Sequence, residues 1–479
     1  MAKETNSLKT TINTQFYDFD YSQQLLRKLT FPKSENKSDE VNKLCKLLVD
    51  KKMNFASLNS GEQFELIKLN GYDQLKNDDT SDKDKLVFNI DQRNDKYTIS
   101  TGIFCGVINF GDKLPSVEIT AGVSDSFFKR ILNHCCGIYA DTNTKSSTSR
   151  NESIYSLLVQ YLFLISLRKV ASQLFPKRYL SRKEREYSIK GEIDIEEYVN
   201  KDILMFDKKV TYKYQTMKDI QNIIDVLYEA CKKCEITKSL ELPDIAGLKI
   251  YLKDNYSHKK CSKGLIKNIL KDKSLLNSLY SDFKRPLRYA QVLLNNEDLN
   301  SGGNSKISGI SGYLIDASFL WEMYLYNLLR MNLPDWKVDS QKVISFYDNT
   351  FYMKNNRPDL VLTNKKDGRV FVFDAKFKSM RFSKYANDVD NNDIRQIHAY
   401  SYYYSLTEKD KFCGAALIYP TQVPYEDQTN NVDQMYSIKD APSKFGVFAV
   451  YDPGDKGNIK ESEEEFIRRI KVFIRGEDA

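Results

Sequence analysis

Two short apolar runs, Leu360-Val361-Leu362 and Val370-Phe371-Val372-Phe373, flank a polar break from Thr363 to Arg369 that contains Gly368. Two runs rich in β-branched and aromatic residues around a glycine-bearing break form the pattern of a β-hairpin. With a four-residue turn at Lys365 to Gly368, Asp359 falls directly opposite Asp374. Side chains alternate faces along a strand, so Asp374 and Lys376 share one face while Phe373, Ala375 and Phe377 share the other. Two carboxylates and one ammonium thus converge at the ends of strongly apolar strands. Charge in that setting is costly unless it is paired or holds a metal. A plain surface hairpin with a salt bridge is the alternative reading of these residues alone.

Metal-dependent phosphodiester cleavage accounts for the grouping, because hard Mg2+ takes carboxylate oxygens and activates water. Asp359, Asp374 and the Ala375 carbonyl would hold the ion, and Lys376 would orient or deprotonate the attacking water and offset charge on the phosphate. The spacing, Pro358-Asp359, fourteen residues, then Asp374-Ala375-Lys376, resembles the PD-(D/E)xK nuclease core. Upstream, residues 316–330 read as a helix on which Glu322 shares a face with Phe319, Leu325, Tyr326 and Leu329. A carboxylate on an apolar face needs a function there, and metal binding supplies one. Downstream, Gln396 and Tyr400 lie four apart on a second helical stretch and resemble the Q-x3-Y element of RecB-like members of the same superfamily.

A chain of 479 residues, 41% hydrophobic and 12% aromatic, is long and apolar enough for two or three cored domains. The N-terminus lacks the apolar core of a signal peptide, and residues 154–167 fall short of a bilayer span, so a soluble, cytoplasmic protein without membrane attachment is expected. Eight cysteines, two of them adjacent at Cys135 and Cys136, do not form a secreted disulfide framework. Cys231, Cys234, His258 and Cys261 have the spacing of a Cys3His zinc set. Against zinc, the first pair continues a helical pattern from Asp219, which favours reduced, buried thiols.

The net charge of +7 is unevenly spread: 24 Lys/Arg against 25 Asp/Glu from Ser301 onward, leaving 48 against 40 in residues 1–300. Excess positive charge suits a phosphate backbone or an acidic partner. It is densest at Lys177, Arg178, Arg182, Lys183 and Arg185, which read either as a DNA or partner contact or as a solvated loop between helices. Residues 1–84 give a mostly helical impression, clearest at 41–48 and 61–69. Residues 85–120 change to β character and read as a small antiparallel sheet. Helices are expected at 125–132, 153–175, 218–234, 266–279 and 286–294, with a short extended piece at 188–195. A Gly/Ser-rich stretch at 301–312 marks a domain boundary. An amphipathic helix at 461–474 ends the pattern. No G-x4-G-K-[S/T] loop occurs, so no nucleotide is expected on this chain.

The expected fold is therefore α/β, α+β overall. Residues 1–84 form a mostly helical N-terminal region, 85–300 a domain of small antiparallel sheet followed by helices, and 301–479 a nuclease domain with a central mixed sheet flanked by helices. The order of several segments resembles the McrC family, nuclease subunits of McrBC-like and LlaJI-type restriction systems. These segments are Gly106-Val107-Ile108-Asn109-Phe110-Gly111-Asp112, Val117-Glu118-Ile119, Ser188 to Asp194, Asp316 with Phe319 to Glu322, Arg357 to Asp359, Asp374 to Lys376 and Asp393 to Gln396. The chain departs from that pattern after Ile119, where Pro-Lys is usual, and at Trp321, where Phe is usual. The resemblance makes 85–300 the partner-binding domain and implies a subunit that docks on a hexameric AAA+ GTPase, stimulates its hydrolysis, and cuts DNA with Mg2+ in anti-phage defence. A stand-alone RecB-like repair nuclease and a non-catalytic NTPase activator are the rival readings.

Overall fold

The computed structural model describes residues 10–11, 27–32, 45–49, 53–54, 64–66, 86–93, 96–109, 117–136, 154–205, 207–235, 245–259, 263–295, 311–346, 355–378, 380, 389–428, 436–437, 443–455 and 457–475. The chain divides into two compact units, one made of residues 1–145 with 304–479 and the other of residues 146–303. One division, at 303/304, lies near the expected 300/301 boundary; the other, at 145/146, lies inside the expected 85–300 region, and the N-terminal strands belong to the same unit as the C-terminal sheet.

Among the described residues, eight strands precede the helix at 125–136: β1 Thr10–Thr11, β2 Arg27–Pro32, β3 Met53–Asn54, β4 Phe64–Leu66, β5 Leu86–Arg93, β6 Lys96–Thr101, β7 Phe104–Asn109 and β8 Val117–Ile119. They are followed by α1, Asp125–Cys136. The segment 61–69, expected to be helical, instead carries strand β4. It pairs in parallel with residues 312–314, a tertiary contact that overrides a weak local periodicity. Residues 45–48 are helical as expected, whereas 41–44 lie outside the described residues. The β-rich segment 85–120 serves two sheets, not one. β5 and β6 join β2 and β3, while β7 and β8 join β1, β4 and the later strand 311–316.

The second unit contains α2 Ile154–Val170, β9 Lys177–Glu186, β10 Glu192–Ile193, β11 Val210–Asp219, α3 Gln221–Glu235, α4 Ala246–Asp254, α5 Lys263–Leu270 and α6 Lys284–Asn295. β9 and β11 pair antiparallel over ten residues each, with β10 on the outer side of β11. The basic cluster is thus a strand and not a loop. Its partner strand β11 gives little apolar signal, since Thr, Lys, Gln and Asp make up much of it; the helix expected from 218 starts only at Gln221. Likewise the helix expected at 266–279 stops at Leu270 and gives way to 3-10 turns. Leu167, Ile223, Leu227, Leu252 and Leu287 are fully buried in this unit. Cys231 and Cys234 are buried thiols within α3, and Cys261 lies outside the described residues.

The first unit resumes with β12 Ser311–Asp316, α7 Ala317–Asn332, β13 Trp336–Ser340, β14 Ile344–Ser345, β15 Asn355–Asn356, β16 Leu360–Asn364, β17 Val370–Ala375, α8 Asn391–Thr407, β18 Phe412–Thr421, β19 Tyr436–Ser437, β20 Lys444–Tyr451 and α9 Ile459–Arg475. β12 lies antiparallel to β7, so close that a Cβ on Gly106 would sit 2.2 Å from the Tyr313 carbonyl oxygen. The central sheet runs β13-β16-β17-β18-β20-β19, antiparallel at both ends and parallel in the middle. Val361, Val372, Leu417 and Tyr419 face the core that includes Ile397, Tyr400 and Tyr404 of α8. On the opposite face Phe371, Phe373 and Phe448 surround Phe473 of α9 at centroid distances of 5.1 to 6.2 Å. Each such buried side chain contributes roughly 1.5–3 kcal/mol. The chain is mixed α/β, with a mixed sheet flanked by helices. Among the described residues no helix is long and apolar enough to cross a membrane.

Candidate active site

The hairpin forms as its spacing predicts. Leu360 pairs with Phe373 and Thr363 with Val370, which places Asp359 and Asp374 at the next opposing position. The turn closes through Asn364 N–H to the Arg369 carbonyl at 2.8 Å and Gly368 N–H to the Asn364 carbonyl at 3.1 Å. Gly368 adopts φ 74°, where a side chain would be strained. The alternation also holds: Lys376 lies beside Asp374, and Phe377 packs on Trp321 across the sheet at 5.9 Å.

Asp359 is held from two sides. Its Oδ2 accepts the Ala375 N–H at 2.8 Å, and its Oδ1 accepts Nε2 of Gln341 at 2.8 Å. The same Gln341 nitrogen donates to Oε2 of Glu322 at 3.0 Å. Burial, then the Asp374 charge, then Glu322 push the Asp359 carboxyl well above the usual carboxylate range. Asp374 is 1% exposed. Lys376 Nζ lies 2.6 Å from its Oδ2 as a charge contact, but neither Asp374 oxygen receives an aligned hydrogen bond. Burial alone would lower the Lys376 ammonium, but Asp374, Asp359 and Asp393 outweigh it and hold it above the normal lysine range.

Lys376 continues into α8. Its Nζ donates to Gln396 Oε1 at 2.8 Å, Gln396 Nε2 donates to the Tyr400 hydroxyl at 2.9 Å, and that hydroxyl donates to the Arg357 carbonyl at 3.1 Å. The chain of contacts thus returns to the segment just before β16 that carries Asp359. Burial and Asp374 raise the Tyr400 hydroxyl. Tyr400 is 4% exposed, so the structure makes it a buried support of Gln396 and not a surface on which DNA or a partner rests.

A buried carboxylate whose Oδ2 meets the Lys376 ammonium and whose Oδ1 has no hydrogen-bond donor, set beside a second carboxylate, is a place that favours a further cation. The donors are oxygens, Asp359, Asp374 and the Ala375 main chain, a hard set suited to Mg2+ and unsuited to soft metals. Among the described residues no three His, Cys, Asp or Glu side chains gather tightly enough to form a metal cage. Glu322 is held one amide away from Asp359 by Gln341, so it joins the site at one remove. The residues fit an ion held by two carboxylates and the main chain.

Glu322, Asp359, Asp374, Ala375, Lys376, Gln396 and Tyr400 are therefore brought together. Lys177, Arg178, Arg182, Lys183 and Arg185 belong to the other unit. Four of them face acids: Lys177 with Asp219, Arg182 with Glu184, Lys183 with Asp194 and Glu197, and Arg185 with Asp202 and Asp207. Sequence reasoning left out Gln341, Lys378 and Tyr419, and gave Asp393 no role at the site. Asp393, 5% exposed, accepts from Lys378 at 2.9 Å and from the Tyr419 hydroxyl at 3.1 Å, and lies 3.9 Å from Lys376. Period-two spacing from Asp374 through Lys376 to Lys378 could have found the second lysine. No local pattern marks Gln341.

The model of the McrBC family, described as the McrBC 5-methylcytosine restriction system component, matches residues 99–420, two thirds of the chain. The chain belongs to this family. No curated protein matches it. It is similar in fold to a chain of the refined half-complex from a tetradecameric assembly of Thermococcus gammatolerans McrB AAA+ hexamers with bound McrC. The TM-score is 0.50 and the identity 15%, covering 92% of this chain and 97% of that one. A second match, to the Thermococcus gammatolerans McrBC complex, has a TM-score of 0.32 and 14% identity, covering 64% and 86%. The McrC-like resemblance is thus upheld at the level of family and fold.

Proposed function

We propose that this McrBC-type restriction component is the DNA-cutting subunit, a Mg2+-dependent endodeoxyribonuclease that hydrolyses phosphodiester bonds in anti-phage defence. The observation that carries the reading is the convergence of Asp359, Asp374 and Lys376 on one sheet face, with Lys376 locked to Gln396. Asp359, Asp374 and the Ala375 carbonyl would hold the ion. When bound, Mg2+ supplies Lewis acidity toward the phosphate and acidifies water. Held as an ammonium, Lys376 donates a hydrogen bond to the attacking water and offsets charge that develops on the phosphate. Gln396 fixes the direction of that ammonium, and Tyr400 fixes Gln396. Glu322, reached through Gln341, adds negative charge that attracts the cation.

The solved assembly with similar fold pairs McrB AAA+ hexamers with McrC. We extend that to a GTP-hydrolysing AAA+ hexamer as this chain's partner, stimulated on docking. The ion pairs on β9 favour partner over DNA for the basic ribbon, because cations already matched by acids have little attraction left for phosphates. In the same unit Tyr187, Ile195 and Leu204 are 72%, 72% and 78% exposed, large apolar side chains that a protein partner could cover. The test is a cleavage assay in Mg2+ with and without the AAA+ partner and GTP, on wild type and Asp374→Asn. Nucleotide- and partner-dependent cutting that Asp374→Asn abolishes is expected. Mg2+-dependent cutting by the chain alone would turn the reading toward a stand-alone nuclease, and cutting by Asp374→Asn would remove the metal site.

A further inference from the structure

Gln341 follows β13 directly, and its backbone is left-handed, with φ 52°. Residues with side chains longer than Asn or Asp rarely adopt this conformation, and such strain gathers where structure around it demands a particular geometry. Here the demand is visible. The Gln341 main-chain N–H donates to the Asp359 carbonyl at 3.0 Å, which ties the end of β13 to the start of β16. The side chain then turns back so that Nε2 reaches Asp359 Oδ1 at 2.8 Å and Glu322 Oε2 at 3.0 Å. An amide nitrogen carries two hydrogens, so one group serves both carboxylates at once. A glutamate in this place could donate to neither, and an asparagine is one methylene too short to span both.

We infer that Gln341 is a positioning residue that assembles the acidic set before a cation arrives, clamping Glu322 to Asp359 through its amide. Asp359 and Glu322 lie on different elements, β16's leading edge and α7, and once both are ionised their like charges would separate them in the metal-free protein. The amide opposes that separation at no cost in added charge. A cation then meets carboxylates already in place, and less of its binding free energy is spent on ordering them. Supporting groups of this kind typically contribute about 10–100-fold to metal affinity. The inference rests on the metal-site reading above and assigns Gln341 its role within it.

The test is calorimetric titration of Mg2+ into the full metal-free chain, for wild type, Gln341→Gly and Gln341→Asn, with thermal melts in chelator. Glycine relieves the left-handed strain but removes both amide hydrogen bonds, two opposing effects on stability, so Gln341→Gly is expected to keep a cooperative melt in chelator while its Mg2+ dissociation constant rises roughly tenfold or more. Gln341→Asn keeps the amide and tolerates the backbone but loses the span, and is expected to weaken Mg2+ binding as well. In cleavage assays both variants should need more Mg2+ and recover kcat once it saturates, a split that loss of folding does not produce. Mg2+ affinity equal to wild type in both variants overturns the positioning role while leaving the metal site standing. A wild-type chain that takes up no Mg2+ overturns both.

Discussion

Replacing Asp374 by Asn removes a charge without changing shape, and the structure gives the sign and size of the consequence. Asp359 has its folded pKa raised by burial and by Asp374. A carboxyl raised in this way keeps its proton in the native state where the unfolded chain has released it. Its contribution to stability is fully present below the unfolded value, about pH 4, and is lost as pH rises through the raised value. One extra proton in the native state corresponds to a slope of about −1.4 kcal/mol per pH unit across that window. Asp374→Asn removes the second cause and leaves burial, so the window narrows and the slope flattens. The lost contact with Lys376 acts against this, but Lys376 retains Gln396 at 2.8 Å and Asp393 at 3.9 Å. Urea unfolding of the metal-free chain in chelator, from about pH 5 to about pH 8, should show the variant gaining on wild type as pH rises, by at most about 1.4 kcal/mol per unit. Groups common to both proteins cancel in the difference. Parallel stability curves would refute the electrostatic account of the pair.

Lys376→Ala should lose DNA cleavage and still bind Mg2+ in calorimetry, because lysine is not a ligand. Glu463→Gln should cost about 3–5 kcal/mol, since it strips a buried acceptor from Arg130, bonded at 2.6 and 2.9 Å, and weakens the contact with the Tyr324 hydroxyl. Although burial alone would raise Glu463, His134 and Arg130 hold it down at about 2, so its contribution is present above the normal glutamate value and fades as pH falls toward 2. Wild type and variant should accordingly converge in acid denaturation. Neutralising Lys177, Arg178, Arg182, Lys183 and Arg185 should reduce stimulation of the partner's GTPase and leave the salt slope of DNA binding unchanged; a flattened slope would return the ribbon to DNA.

The core of the site was readable because strand alternation and turn length are local rules. Once Lys365 to Gly368 make the turn, the 359/374 opposition follows, and Gln396 and Tyr400 come together by helical spacing. What was not readable depends on contacts distant in sequence. β4 became a strand because residues 312–314 offered it an edge. β11 mixes Thr, Tyr, Lys, Gln and Met with no sustained apolar alternation, so neither period stood out, and only pairing with β9 makes it a strand. Gln341 was invisible for a different reason. Its role comes from a left-handed backbone in a loop between strands, which composition does not encode for glutamine.

Glu322 shows how the two parts of the first unit depend on each other. β12 belongs to the early sheet through β7 and runs straight into α7, where the Asp316 carboxylate caps the helix by accepting the Phe319 N–H at 3.0 Å. The Ala317 N–H donates to the Ile103 carbonyl at 3.0 Å, so the first residue of α7 is pinned to the residue that precedes β7. Further along, Asn327 donates to the His134 carbonyl at 2.9 Å, and α1 is tied to α9 by Arg130 and Glu463. The helix that carries Glu322 is thus positioned from the N-terminal sheet at one end and from α1 along its length, while Asp359 is positioned by the central sheet. Gln341 is where these two frames meet, with one hydrogen bond to each carboxylate. A displacement of the early sheet relative to the central one would load that bridge together with the Trp321 Nε1–H to Ile418 carbonyl contact at 3.4 Å, and the acidic set would register it.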